Sequence, residues 1–223
     1  MTHGIKTFAL AAMTLLGSSA ALAQSAGTWM VKGGFNRIDP QVKSSDLSAP
    51  SLPNSKIDVK AANSAILTLA YMLTDETSLE FYAGLPYKHD VVGAGALSGM
   101  GKLGTVKQVS PTLFAQYRFL PAASVFRPYV GLGLTYAYFF DEEGSGTLTA
   151  LTNPGGPPTK MSADSAFGVS AQLGLTFKID ERWYLDAGVI KTYLKNTNTL
   201  STGQSIDTRL DPVSTHLSVG FRF

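Results

Sequence analysis

Two histidines, His89 and His216, are the side chains beyond residue 23 best suited to acid–base chemistry near neutral pH. His216 alternates with Ser214 and Ser218, so the three side chains share one face of an extended segment. His89 stands in a Lys-His-Asp cluster, which is typical of a solvated loop. A hydrolase needs a nucleophile, a base and a third group that orients the base. The spacing assembles no such triad, so the sequence predicts a protein that is not an enzyme.

The sequence lacks the residue patterns that metal binding, thiol chemistry and a phosphate-binding loop require. The chain has no cysteine, which excludes disulfides and thiolate metal sites. No run of histidine or acidic residues has metal-ligand spacing, and the glycines between 93 and 104 lack a strand-to-helix setting. A formal net charge of +2 gives no sign of nucleic-acid binding. We therefore expect no cofactor, no metal and no nucleic-acid partner.

The N-terminus has the features of an export signal. Lys6 precedes an apolar run over residues 7–16, and Ala21-Leu22-Ala23 gives the small-residue pattern of a cleavage site. The apolar run is too short to cross a membrane as a helix. We predict that residues 1–23 are a signal peptide and that residues 24–223 form one exported domain.

Alternation of apolar with small or polar residues predicts strands throughout that domain. The last segment, Val213–Phe223, alternates almost without a break and ends on an aromatic residue. A strand of this kind suits the wall of an outer-membrane barrel, with apolar residues toward lipid and small or polar ones toward the lumen. The eight predicted strands are Thr28–Ile38, Ser64–Leu73, Thr77–Pro86, Val106–Phe119, Arg127–Phe140, Asp164–Ile179, Trp183–Leu194 and Val213–Phe223.

The connections between these strands alternate in length. Three are short and four are long, which is the outer-membrane pattern of tight periplasmic turns and long external loops. Only 15% of residues are charged, and aromatic residues recur near strand ends, where interfacial girdles lie. We predict an all-β fold, an eight-stranded antiparallel transmembrane β-barrel in the outer membrane of a Gram-negative bacterium. A soluble barrel of lipocalin type is the alternative, because alternation does not reveal which face points inward.

The predicted inward faces carry charge in their periplasmic half. Unpaired charges in a narrow lumen would cost several kcal/mol, so these groups are expected to pair with one another and plug the barrel. A purely structural filling of the interior is the other interpretation. The predicted plug residues are Lys32, Glu80, Arg118, Lys178, Asp186 and Arg222.

The outer half of the predicted lumen is apolar. An apolar pocket above a charged floor suits a small apolar molecule better than it suits a water-filled pore. Packing beneath the loops is the alternative reading. The candidate lumen residues are Ile66, Phe114, Ala137, Phe139, Ile190 and Leu194.

Two prolines lie on neighbouring predicted strands. Pro86 ends the third strand and Pro111 lies within the fourth, and each removes a donor from the hydrogen-bond ladder. Our hypothesis is a seam here through which a bound molecule leaves sideways into the outer leaflet. The alternative is that both are ordinary loop-boundary prolines.

Several segments of the chain resemble the OmpW family of outer-membrane proteins, a group that includes the AlkL-like alkane-uptake barrels. The resemblance covers essentially all of residues 24–223, and it implies an eight-stranded barrel whose hydrophobic channel carries small apolar compounds, with lateral release. The chain departs from the family pattern at Ser110, where a second proline is frequent, and in its longer loop over Asn153–Pro158. The segments that carry the resemblance are Leu85-Pro86-Tyr87-Lys88-His89-Asp90, Val109–Phe119, Arg127–Gly133, Tyr71–Asp75, Asp211-Pro212 and Gly220–Phe223.

Together these features predict an outer-membrane channel for the uptake of small hydrophobic molecules. A structural or adhesive barrel without transport is one alternative, and a lipid A-modifying barrel enzyme is another. The expected partners are lipopolysaccharide and other outer-membrane lipid, small hydrophobic molecules, and the outer-membrane assembly machinery. The terminal aromatic Phe223 resembles the signal that this machinery reads.

Overall fold

The computed structural model describes residues 24–223, so the predicted signal peptide lies outside the described residues. Within that range the chain forms fifteen strands and one short helix. No helix in this part of the chain is long and apolar enough to cross a membrane. In chain order the elements are β1 Trp29–Asp39, β2 Lys43–Ser44, β3 Ser55–Val59, β4 Ala62–Met72, β5 Thr77–Gly84, β6 Tyr87–Gly95, β7 Lys102–Val109, β8 Thr112–Arg118, β9 Phe126–Gly144, α1 Gly146–Thr152, β10 Met161–Ala163, β11 Ala166–Lys178, β12 Trp183–Tyr193, β13 Lys195–Leu200, β14 Ser205–Arg209 and β15 Val213–Arg222.

Eight of these strands close into a barrel. The order around the wall is β1, β4, β5, β8, β9, β11, β12 and β15, with antiparallel pairing at each step and β15 pairing back to β1. Closure leaves no edge strand exposed, so every strand of the wall has hydrogen-bonded neighbours on both sides. The predicted eight-stranded antiparallel barrel is confirmed.

The two faces of the wall differ in the way that a lipid-facing barrel requires. On β9, Leu132 and Leu134 point outward with 68% and 66% of their surface exposed, whereas Tyr129 points inward and is fully buried. The C-terminal strand repeats this, since Leu217 is exposed and His216 and Ser218 are buried. An apolar exterior around a polar interior is the reverse of a soluble lipocalin-type barrel, so that alternative is wrong.

Outward-facing aromatic rings lie at both ends of the barrel. At the periplasmic end, Trp29 packs on Tyr71 with ring centroids 4.8 Å apart, and Trp183 packs on Phe221 at 5.0 Å. At the outer end, rings such as Tyr193 and the Tyr136–Phe167 pair occupy the corresponding position. These are the interfacial girdles expected of a membrane barrel.

The sequence reading differs from the structure mainly in the long connections. The predicted fourth strand is two strands, β7 and β8, separated at Ser110-Pro111, and the third strand resumes as β6 after Pro86. On one side, β7, β6 and β3 continue the barrel sheet from β9 beyond the membrane, while β2, β14, β13 and β10 form a separate sheet on the other side. These segments alternate weakly because their outward residues meet water rather than lipid, so periodicity did not reveal them.

Candidate functional site: the lumen and a gap in its wall

A buried ion-pair cluster forms the floor of the lumen. The Nζ atom of Lys32 lies 2.8 Å from Glu80 Oε2 and 2.9 Å from Asp186 Oδ1. All three side chains are almost completely buried. β1, β5 and β12 bring the three groups to one height, although they are far apart in sequence. Three charges without access to water depend on this mutual pairing.

The floor also contains the predicted plug residue Arg118 and three polar residues, His216, Tyr129 and Gln116, that were not among the predicted plug residues. His216 Nε2 lies 3.0 Å from Asp186 Oδ1, and the Tyr129 hydroxyl donates to the same oxygen at 3.2 Å. The guanidinium of Arg118 lies 4.8 Å from the centre of the Tyr129 ring and donates to Gln116 Oε1 at 2.8 Å. The alternation does place His216 and Tyr129 inward, and this was the signal that could have identified them.

Two predicted plug residues lie elsewhere. Lys178 pairs with Glu181 at 2.5 Å, and Arg222 donates to the backbone oxygens of Glu181 and Asp180 at 2.6 and 2.8 Å. Both residues lie near strand ends, so their long side chains reach out toward the periplasmic turn rather than up into the lumen. The structure therefore brings together Lys32, Glu80, Arg118 and Asp186 but not Lys178 or Arg222.

Arg127, which the sequence analysis left without a role, closes the periplasmic end. Its guanidinium donates to the backbone oxygens of Gln24, Asp75 and Leu120, which belong to three separate segments. Because these bonds cross the barrel mouth, straight passage toward the periplasm meets first the ion-pair floor and then this arginine.

All six candidate lumen residues are buried inside the barrel, in two layers. Ile66, Phe114 and Ile190 form the lower layer with Tyr82. In the upper layer, Ala137, Phe139 and Leu194 pack with Val91, Val106 and Leu210. Their part in ligand passage stays a prediction.

Three cavities follow one another from the outer end of the protein down to the lower layer. The outermost, about 100 Å³, lies among loop residues such as Leu97, Leu148 and Leu200. The middle cavity, about 30 Å³, shares Ile57, Val91 and Met161 with the outer one. A lower cavity, also about 30 Å³, shares Gln108 with the middle one. The shared lining residues show that the three cavities are neighbours, and we call this series of cavities the column.

His89 lines the middle cavity. Its Nδ1 lies 2.8 Å from the backbone oxygen of Lys60, and its ring stacks on Tyr87. This part of β6 lies beyond Pro86, outside the predicted membrane crossing. Burial lowers the pKa of His89 despite the opposing effects of the Lys60 carbonyl and the Asp90 carboxylate, so the imidazole is neutral at neutral pH. The middle cavity thus holds no charge from this side chain.

The wall beside the lower cavity has a gap in its strand pairing. β5 and β8 pair as far as Tyr82 and Thr112, and pairing resumes between β6 and β7 at Tyr87 and Gln108. Within the described chain, no strand pairing joins residues 83–86 to residues 109–111. Pro86 and Pro111, the two candidate seam residues, both lie in this gap.

The gap adjoins the lumen. Gly84, Tyr87 and Ser110, at or next to the gap, also line the lower cavity. Both sides of the gap remain anchored to the next strands, since Leu85 N donates to Ala65 O at 2.9 Å and Tyr136 N donates to Pro111 O at 3.0 Å. The opening is therefore held in a stable frame rather than in a frayed strand end.

Comparison with known proteins matches this architecture. A model of the OmpW family matches residues 25–223. Outer membrane protein W of Vibrio cholerae serotype O1 is 33% identical over 218 residues, covering 96% of this chain and 97% of that protein. A Pseudomonas aeruginosa protein named dibenzothiophene metabolism operon protein PahQ is 25% identical over 180 residues, covering 79% of each chain. The crystal structure of the outer membrane protein OprG from Pseudomonas aeruginosa superposes with a TM-score of 0.80 at 28% identity, covering 89% of this chain and 97% of that one.

Proposed function

Because the chain belongs to the OmpW family and is an outer-membrane barrel, we propose that it takes up small hydrophobic molecules from the cell exterior. A molecule enters the outer cavity, descends through the middle and lower cavities, and leaves through the gap at Pro86 and Pro111 into the outer leaflet. The chain acts as a conduit and catalyses no reaction in this proposal.

The meeting of the lower cavity with the gap is the observation that carries the proposal. A small molecule that buries about 150 Å² of apolar surface in the column gains roughly 4 kcal/mol. Passage past Lys32, Glu80 and Asp186 would disrupt a buried ion-pair cluster, whereas lateral exit leads directly to hydrocarbon. The apolar route therefore turns sideways above the floor.

The name of one relative supports the choice of substrate class. The Pseudomonas aeruginosa relative is named for a dibenzothiophene metabolism operon, and dibenzothiophene is an apolar aromatic compound. Compounds of this kind suit the outer cavity, whose lining is largely apolar and includes no charged side chain.

The test is uptake of an apolar aromatic compound by cells that produce the protein, compared with cells that lack it. Changing both Pro86→Ala and Pro111→Ala restores two backbone donors and favours pairing across the gap. We expect uptake to fall several-fold with this double variant. The matched control is Pro128→Ala, which lies in β9 on a fully paired stretch of wall and should leave uptake unchanged.

Single-channel conductance separates the possible outcomes. Efficient uptake together with negligible ion conductance agrees with lateral exit above a closed floor. Equal uptake by cells with and without correctly folded protein would contradict the transport proposal and favour a structural or adhesive barrel. Unchanged uptake by the double-proline variant would contradict the exit route alone.

A further inference from the structure

Three cations stand side by side on the outer sheet. Lys195 of β13 is directly opposite Arg209 of β14, and Arg209 is directly opposite Lys43 of β2. All three side chains are exposed on the outward side of the sheet. Like charges directly opposite one another in a sheet are destabilising, so this row is costly unless an anion lies against it.

Two nearby carboxylates neutralise the row only in part, and one of them, Asp211, pairs with Arg209. Asp211 Oδ2 is 3.6 Å from Arg209 Nε, and its other oxygen accepts a hydrogen bond from Leu194 N at 3.0 Å. Asp207 accepts from the Thr197 hydroxyl at 2.7 Å. Among residues 24–223, no carboxylate forms an ion pair with Lys43 or Lys195.

The opposite side of the external region is built differently. There, three surface lysines have carboxylate partners at short distances, whereas Lys88, which is directly opposite Lys107, forms no ion pair within residues 24–223. The pairs are Lys60 with Asp58 at 2.7 Å, Lys102 with Asp90 at 2.7 Å, and Lys107 with Asp141 at 2.9 Å. The row differs from that side in having three adjacent cations, two of which, Lys43 and Lys195, have no carboxylate partner within the described chain.

The row lies at the height of the outer membrane interface. The sheet continues the barrel wall upward, since Leu210 N donates to Leu194 O at 2.9 Å and Gln41 N donates to Leu210 O at 2.8 Å. Tyr193, an exposed ring of the outer girdle, is two residues before Lys195, or about 7 Å along the chain. Charged lipid headgroups lie immediately beyond such a girdle.

Below the row, the same side of the wall carries two further outward cations and one outward carboxylate. Lys191 lies over the Tyr193 ring, with Nζ 5.8 Å from its centre, and Arg37 is exposed on β1. Asp39 follows Arg37 on the same outward face of β1. Counting Asp207, Asp211 and the exposed Asp164 beside Thr197 as well, five cations face four carboxylates, so the surface keeps a small net positive charge.

We propose that the row Lys43–Arg209–Lys195 binds the phosphate groups of a phosphorylated glycolipid of the outer leaflet, the lipid A portion of lipopolysaccharide. Neighbouring strands are about 4.8 Å apart, so the three backbones span about 10 Å, comparable to the width of a sugar-phosphate headgroup. An open cleft of about 520 Å³ lies against the three side chains and is also lined by Ser45, Thr197 and Asp207, whose carboxylate accepts from the Thr197 hydroxyl. Lysine and arginine form strong charge-assisted hydrogen bonds with phosphate oxygens, and a bound phosphate removes the repulsion within the row.

The test uses the full chain folded in lipid nanodiscs and titrated with bisphosphorylated lipid A. The variant combines Lys43→Gln, Arg209→Gln and Lys195→Gln, and the matched control combines Lys60→Gln, Lys102→Gln and Lys107→Gln. Both remove three positive charges from the external region. We expect the row variant to lose affinity roughly tenfold or more while the control keeps it, because only the row variant loses charge-assisted bonds to the ligand.

A stability measurement provides a second readout. Without lipid A, the row variant should unfold at the same temperature as the parent chain or higher, because repulsion has been removed. With lipid A, the parent should gain thermal stability and the row variant should not. Equal gains in the parent and the row variant would overturn the proposal.

Two further ligands identify what is bound. Dephosphorylated lipid A that binds as tightly as the bisphosphorylated form would overturn the proposal, because acyl chains alone would then explain binding. Inorganic phosphate that binds the row as tightly as lipid A would overturn the lipid assignment. Binding by lipid A alone that weakens steeply with added salt would support it.

Discussion

Lys32 is the residue on which the floor of the lumen depends. Its ammonium group is the cation that lies between Glu80 and Asp186 at 2.8 and 2.9 Å. Asp186 also accepts from His216 and Tyr129, so the loss of Lys32 would leave an acidic cluster without its counter-charge. A buried pair of this kind is costly to break from one side, whatever its net contribution when intact.

We therefore predict that Lys32→Met lowers the free energy of unfolding by about 3–5 kcal/mol. The measurement is urea-induced unfolding in lipid vesicles, followed by fluorescence of the chain's two tryptophans, Trp29 and Trp183. Lys107→Met is the matched control, because its partner Asp141 is exposed and solvated, and it should change stability little. Equal effects of the two substitutions on the free energy of unfolding would contradict the idea that burial makes the floor cluster costly to break.

At the scale of single residues, the pattern along a strand predicted which face a side chain occupies better than it predicted which groups that side chain contacts. Alternation placed Lys32, Glu80 and Asp186 inside, and the structure has them there. Alternation could not show that the side chains of Lys178 and Arg222 extend toward the periplasmic turn. The position of a residue along a strand fixes the face on which its side chain lies, but not the rotamer of a long side chain.

At the scale of elements, neighbouring strands interlock through aromatic rings and glycines. Tyr184 of β12 is directly opposite Gly220 of β15, and Tyr129 of β9 is directly opposite Gly174 of β11. A Cβ atom at Gly220 would lie 2.1 Å from Tyr184 Cζ, which is far closer than atoms can approach. The Tyr184 ring occupies the space that a side chain at Gly220 would need. Packing of this kind fills the lumen closely at this level.

We predict that Gly220→Ala destabilises the barrel by about 1–3 kcal/mol, the usual cost of overpacking a filled interior. Gly33→Ala is the matched control, because it lies on β1 of the same barrel and a Cβ there would meet no atom within 4 Å. Urea unfolding of both variants checks this. If Gly33→Ala proves as harmful as Gly220→Ala, general loss of glycine rather than ring packing is responsible.

The sequence predicted small or polar residues on the lumen side of the strands, but it did not predict which ring covers which glycine. That depends on the register between strands, and a shift of one residue exchanges the two faces. The gap depends on the same property. Pro86 and Pro111 were visible in the sequence, whereas the unpaired stretch of residues 83–86 and 109–111 follows from how β5 to β8 align.

At the scale of the whole molecule, the last strand completes the barrel. β15 pairs with β12 on one side and β1 on the other. Phe223 and Trp29 exchange backbone hydrogen bonds at 2.9 and 3.0 Å, which joins the C-terminus to the first strand. The ring of Phe223 itself is exposed and stacks on Phe221, so its side chain contributes little to the interior.

We predict that Phe223→Leu lowers the amount of protein assembled in the outer membrane of cells but leaves refolding of purified protein into vesicles unchanged. This prediction rests on our proposal that the assembly machinery recognises the ring of Phe223, whereas the backbone bonds to Trp29 do not depend on that ring. Phe221→Leu is the matched control and should assemble normally. Immunodetection in outer-membrane fractions measures assembly, and equal losses for the two variants would contradict a specific role for the terminal residue.

The sequence by itself determined the class of fold and the number of membrane-crossing strands, and alternation divided the side chains of a strand into two faces. A lipid-exposed wall demands an apolar side chain at every second position, and this demand is local enough to be read along the chain. Only the tertiary structure decided which inward charges meet, where the wall is left unpaired and that Lys43, Arg209 and Lys195 stand in one row. These features join residues from distant strands, and their contact depends on register and closure, which no local pattern encodes.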